Sequence, residues 1–133
     1  MNAEDAEVAE VNDIGEIIIG SAMRVHTALG PGLLENAYEA CLAYELEKHG
    51  LVVQRQMAVP IRYEEVSLDV GYRLDMLVAG IVVLELKSVE KMLPVHGAQL
   101  LSYLRLGGYK LGYLLNFNVV HMRDGIKRVV NGL

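Results

Sequence analysis

Cysteine is almost missing from this chain, with Cys41 the only one in 133 residues. An internal disulfide is therefore excluded, and no Cys/His spacing of a zinc site occurs. Long apolar runs are missing too; none approaches the roughly 20 residues that a membrane span requires. The first ten residues hold Glu4, Asp5, Glu7 and Glu10 and no base, so the basic-then-apolar order of a secretory signal is not found. Gly-rich phosphate loops, internal repeats and low-complexity tracts do not occur either. A reducing, cytoplasmic compartment is the expectation that these absences leave.

The residues that are present suit one domain with a full core, since 53% are hydrophobic. A net charge of −5 argues at first against a nucleic-acid partner. The placement of the charges weakens that argument: four acids lie in the opening decapeptide, which leaves residues 11–133 with 12 bases against 13 acids, a balance of −1. From Lys91 onward six Lys/Arg face Asp124 alone. That half could present a positive surface to phosphates, although solvated charges on separate elements explain it as well.

Taken in order, residues 1–11 are expected to be a flexible acidic tail, and residues 12–133 a single domain. Asn12 or Asp13 can cap a helix whose stripe is Ile14, Ile17, Ile18, Ala22 and Val25, reaching Leu29 before Gly30-Pro31-Gly32 stops it. A second helix should run from Leu33 to His49 and close at Gly50. Glu35 falls on the shoulder of its apolar stripe, pointing to the core margin. It is either an acid favoured by the helix dipole or a site residue reaching over the sheet, and composition alone favours the first. Leu51–Met57 and Val59–Tyr63 read as strands, with Pro60 at an edge or a strand start, and Glu64-Glu65 as a turn. Leu68, Val70, Tyr72, Leu74, Met76 and Val78 then alternate with Asp69, Gly71, Arg73, Asp75 and Leu77, the period of a strand. Ile81–Ser88 is the next strand. Pro94 opens a third helix to about Leu106, Tyr109–Asn116 is strand-like, and Val119–Val130 reads as a hairpin about Asp124-Gly125. The four histidines, His26, His49, His96 and His121, stand in no ligand spacing to one another.

Within the apolar strands, Asp75, Glu85 and Lys87 are anomalous. Burying an ionised group without a partner costs several kcal/mol, roughly. Such groups persist when they pair or when they hold a cation. An aspartate and a glutamate converging beside an ammonium suit a hard cation such as Mg2+ and a phosphate ester. A Glu/Lys pair with an unrelated Asp is the plainer alternative. Register separates the two. A two-residue Ala79-Gly80 loop would set Asp75 and Glu85 on opposite faces, whereas a three-residue loop Ala79–Ile81, or a bulge, sets them opposite each other. The three-residue loop or bulge is the expectation. Glu85 and Lys87 share a face by simple alternation. Gln99 and Tyr103, four apart on the third helix, are either a mixed helix face or a polar pair aimed at substrate.

Assembled, these residues resemble a known family. Gly32-Leu33-Leu34-Glu35-Asn36-Ala37-Tyr38 matches the signature of the GxxExxY family. The likeness continues through Val70–Asp75, Glu85–Lys87, Leu93–His96, Gln99–Tyr103, Asn116–Asn118 and Asp124–Val130, covering about residues 14–131. That family is similar to the PD-(D/E)XK phosphodiesterases, especially their RecB-like branch. The resemblance implies an α/β (mixed α+β) fold, a central mixed β-sheet flanked by helices with a restriction-endonuclease-like core. It implies Asp75 and Glu85 as metal ligands with Glu35 as a further one, Lys87 as the catalytic lysine, and Gln99 and Tyr103 as substrate-binding or supporting residues. The residue before the aspartate, often proline in restriction enzymes, is Leu74 here.

The function so implied is Mg2+-dependent phosphodiester hydrolysis of nucleic acid, DNA in the first instance, with Mn2+ as a substitute cation. The alternative is a binding module that keeps the fold without turnover, or acts with a partner; a small-nucleotide phosphodiesterase is a third option. No membrane partner is expected. A homodimer through apolar Tyr109–Leu115 and a protein partner both stay open.

Overall fold

The computed structural model describes residues 2–133, apart from the side chains of Asp69 and Val70. The helices are α1 (Ala3–Leu29), α2 (Glu35–Lys48) and α3 (Pro94–Gly107). Strands β1 (Val53–Tyr63), β2 (Val66–Val78), β3 (Val82–Lys87), β4 (Leu111–Asn116) and β5 (Ile126–Val130) form one mixed sheet in the order β1-β2-β3-β4-β5. Only β3 and β4 are parallel, and α3 is the crossover between them. One face of the sheet buries Met76, Val78, Leu84, Leu86, Tyr113 and Leu115 against α1 and α2. The other buries Leu74, Leu77, Val83 and Leu114 against Leu100, Tyr103 and Leu104 of α3. This is the mixed sheet between helices that the resemblance implied.

Helix α1 starts nine residues before the expected cap, so residues 3–11 are helical and not a tail. The side chain of Asn2 accepts the Asp5 N–H at 2.8 Å, and Glu4 and Asp5 meet the positive end of the helix dipole. Val11 is buried, and Glu7 pairs with Lys110 at 3.3 Å. Asn12, expected as a cap, instead accepts from Arg128 in β5 at 3.2 Å.

The two strands expected on either side of residue 58 are one edge strand, β1. Pro60 sits where the ladder with β2 shifts, between Val59↔Tyr72 and Ile61↔Leu68; it has no N–H to pair, and β2 bulges there. A second departure lies nearer the site. The alternation expected from Leu68 to Val78 does not run unbroken, because Leu74 faces α3 while Met76 and Val78 face α1 and α2. Gln56, opposite Asp75, carries φ 53 and leaves that pair unbridged, which turns the strand. The faces expected for Asp69 and Val70 lie outside the described residues. The hairpin expected over 119–130 is also different. Residues 119–121 are loop, Met122–Gly125 is a 3-10 turn, and β5 pairs with β4. The backbone of Gly125 packs on the carbonyl oxygen of Asn116, where no side chain fits.

Candidate active site

The three-residue connection between β2 and β3 is present. Val78 pairs with Val82 around Ala79 (φ 54) and Gly80 (φ 71). This register carries Asp75 opposite Glu85. The backbone ladder covers only Met76↔Leu84, Leu77↔Val83 and Val78↔Val82. Beyond it side chains complete the hydrogen bonds: Asp75 N–H donates to Glu85 Oε1 at 3.2 Å, and Leu86 N–H donates to Asp75 Oδ2 at 2.8 Å. Each carboxylate is thus anchored through one oxygen.

Among the described residues, neither Asp75 nor Glu85 forms an ion pair. The plainer reading, a Glu85–Lys87 pair, is therefore not what the structure contains. Glu85 is buried, and its carboxyl is pushed up to about 8 by that burial first and by the charge of Asp75 second. Asp75 is also raised, mainly by burial and then by the charges of Glu39 and Glu35, against the lowering effect of the Leu86 hydrogen bond. Half-buried Lys87 favours both ionised forms but does not cancel these effects. Two acids held close with no base paired to either form a site short of positive charge.

Loop 30–34 determines where Glu35 stands. Tyr38, buried and stacked on Phe117 at 4.5 Å, donates its hydroxyl to the Gly30 carbonyl at 2.6 Å and accepts the Leu33 N–H at 3.0 Å. Ser88, just past β3, donates to the Leu33 carbonyl at 2.6 Å. The first turn of α2 is thereby tied to the end of the strand that bears Glu85 and Lys87. Exposed Glu35 lines a cleft of ≈ 140 Å³ together with Asn36, Glu39, Gln56, Asp75 and Leu86. A larger hollow of ≈ 590 Å³, between the end of α1 and residues 120–123, has no acid on its wall and shares no lining residue with the cleft.

Glu39 is the residue that sequence reasoning missed. It is buried, accepts from Gln56 Nε2 at 2.8 Å and pairs with Arg55 at 3.1 Å. One signal was available: it stands one helical turn after Glu35, on the same side of α2. On the opposite side of the sheet, buried Tyr103 has its hydroxyl raised by burial, then by the charges of Glu85, Tyr72 and Asp75. Gln99 is exposed one turn earlier on α3. The structure thus brings Asp75 and Glu85 together, with Lys87 two residues further along β3. Glu35 lines the same cleft as Asp75 but, among the described residues, does not join the two in a group of three acids.

Among the described residues no three His, Cys, Asp or Glu side chains form a ready-made cation cage. Two carboxylates are nevertheless the usual protein share for Mg2+, which keeps waters and takes substrate oxygens for the rest. Asp75 and Glu85 fit such an ion in kind and in charge.

No curated protein and no solved structure matches the chain. A family model does, that of the PD-(D/E)XK nuclease superfamily; it spans residues 12–129, nearly the whole domain, and the chain belongs to that superfamily.

Proposed function

We propose that the protein hydrolyses phosphodiester bonds in nucleic acid, DNA in the first instance, with Asp75 and Glu85 holding Mg2+ or Mn2+. PD-(D/E)XK nucleases generally use divalent metal ions. The observation that carries this reading is the approach of Asp75 and Glu85 where β2 and β3 part, with no basic group paired to either. The order of motifs from Gly32 to Val130 supports the finer assignment to the GxxExxY family and the RecB-like branch.

When bound, the cation supplies Lewis acidity, which makes a water deprotonable near neutral pH and offsets charge on the phosphate. Glu85 gives up its proton as positive charge enters, since that charge opposes the effects that raise its carboxyl. Glu35 offers a further oxygen from the far wall of the cleft. Lys87 orients the attacking water or assists its deprotonation, and stabilises negative charge on the phosphate oxygens as it builds up. Tyr103 and Gln99 support the site and touch the substrate strand from α3.

The test is cleavage of linear, circular and single-stranded DNA and of RNA, with Mg2+, Mn2+ or EDTA. Wild type is run beside Asp75→Ala and Lys87→Ala. Metal-dependent cutting, lost in both variants, is expected. Identical backgrounds in all three proteins would overturn the proposal in favour of a binding module that retains the fold.

A further inference from the structure

Tyr72 of β2 lies against Tyr103, with ring centroids 4.9 Å apart and planes tilted by 47°. The two rings differ sharply in exposure: Tyr103 is 8% accessible and Tyr72 44%. Tyr103 packs in the cluster under α3 with Leu74, Leu100 and Leu104, so it is a fixed support. Tyr72 fills no core space of its own. Tyr72 stands three residues before Asp75 on the same strand, so the ring pair lies along β2 from the carboxylate toward the protein surface.

The backbone holds Tyr72 in place. It pairs with Val59 directly after the bulge opposite Pro60. The preceding residue is Gly71, and a Cβ there would run into the Val59 carbonyl oxygen, so the strands meet here closer than any side chain allows. An exposed aromatic ring is thus carried on a closely paired stretch of β2 three residues before Asp75, with exposed Arg73 next to it.

We propose that Tyr72 is a stacking platform for an unpaired nucleobase, so that the site takes single-stranded DNA or a frayed end in preference to the interior of a duplex. This rests on the nuclease reading above and names its substrate class. A base inside a duplex is covered on both faces and must leave the stack to lie on Tyr72, a cost that an unpaired base does not carry. Aromatic stacking of this kind accepts any base, and its loss weakens binding by about 10-fold or more per base.

The experiment is binding in EDTA, where no cutting occurs, of a short DNA oligonucleotide bearing one 2-aminopurine, as a single strand and as a blunt duplex. The wild type should bind the single strand at least about 10-fold more tightly and quench its fluorescence. Tyr72→Phe should keep both properties. Tyr72→Leu, with its fold checked by thermal unfolding, should lose the quench and bind the single strand about 10-fold more weakly, with duplex affinity unmoved. Equal affinity of the wild type for both forms, or an unchanged quench in Tyr72→Leu, would overturn the proposal. The two readings fail separately. Intact stacking without metal-dependent cleavage would sink the nuclease alone, and single-strand cleavage indifferent to Tyr72→Leu would sink the platform alone.

Discussion

Asp75 and Glu85 each complete the other's strand: Glu85 Oε1 accepts the N–H of Asp75 at 3.2 Å, while Asp75 Oδ2 accepts that of Leu86 at 2.8 Å. Two carboxylate side chains thus replace the backbone ladder that ends at Met76↔Leu84. Their positions are set by the sheet itself, before any cation or substrate arrives. Such preorganisation is what electrostatic catalysis requires. It also makes the site costly to keep ionised.

That cost has a sign. Glu85 titrates near 4.5 when unfolded and at about 8 when folded, through burial and the charge of Asp75. Its contribution to stability is fully present below 4.5 and is lost as pH rises through about 8, because in that window only the folded state holds the proton. Asp75, also raised, acts in the same direction. In EDTA the wild type should therefore lose on the order of a few kcal/mol between pH 5 and pH 8.5. Urea unfolding at several pH values measures this. Glu85→Gln, which can still accept the Asp75 N–H, should flatten the profile, and Mg2+ should restore stability mainly at the alkaline end. A flat wild-type profile would contradict the assignment.

Lys87 should separate chemistry from binding. It is half-buried and, among the described residues, pairs with neither carboxylate, and its proposed role is at the attacking water and the phosphate. Lys87→Ala should lower kcat by about 100-fold or more with little change in KM. Lys87→Arg should not rescue it, because a planar guanidinium cannot take the place of a compact ammonium. Single-turnover cleavage is the measurement, and a pure KM effect would assign Lys87 to substrate binding instead.

Glu39 predicts a coupling. Arg55 and Gln56 reach it from β1, and its charge bears on Asp75. Arg55→Ala should cost about 1–3 kcal/mol, at the low end because Arg55 itself is 43% exposed. Adding Glu39→Gln should recover part of that loss, since the neutral amide needs no cation. A double-mutant cycle by urea unfolding reads the interaction directly; additive losses would show that the pair contributes nothing.

The convergence of Asp75 and Glu85 was legible in the sequence because loop length fixes register, and register fixes the face of every side chain. Glu35 stands out in the sequence only through the resemblance carried by Gly32 to Tyr38; in the structure the Tyr38 hydroxyl closes loop 30–34 just before it. The turn of β2 at Asp75 was not legible. Leu74 and Met76 are both apolar, so the residue pattern alternates perfectly while the faces switch between them. The cause sits in another strand, at the positive φ of Gln56. Glu39 escaped for a similar reason, since its partners lie 16 and 17 residues away and no local spacing shows them. The helical character of residues 3–11 was hidden by their composition, because acids that suggest a solvated tail also suit a first helical turn.

Asn116 offers a last test of how the site is held. It is buried at the end of β4, opposite Lys87 in the parallel ladder. Its Oδ1 accepts the N–H groups of Val89 and Asn118, each at 3.2 Å, and its Nδ2 donates to the Val89 carbonyl at 3.0 Å. Just beyond it, Phe117 N–H donates to the Lys87 carbonyl at 3.0 Å. One side-chain amide therefore fastens the segment leaving β3 to the end of β4, directly behind the lysine. Asn116→Ala strands these buried backbone groups and should cost about 2–4 kcal/mol. Asn116→Asp keeps the acceptor, loses the donor and buries a charge, so it should fare no better. Under conditions where both variants are folded, cleavage should fall with kcat while KM holds, because the displaced group is Lys87 and not the substrate-facing surface. Loss of stability with full activity would mean that Asn116 supports the fold and leaves the lysine where it was.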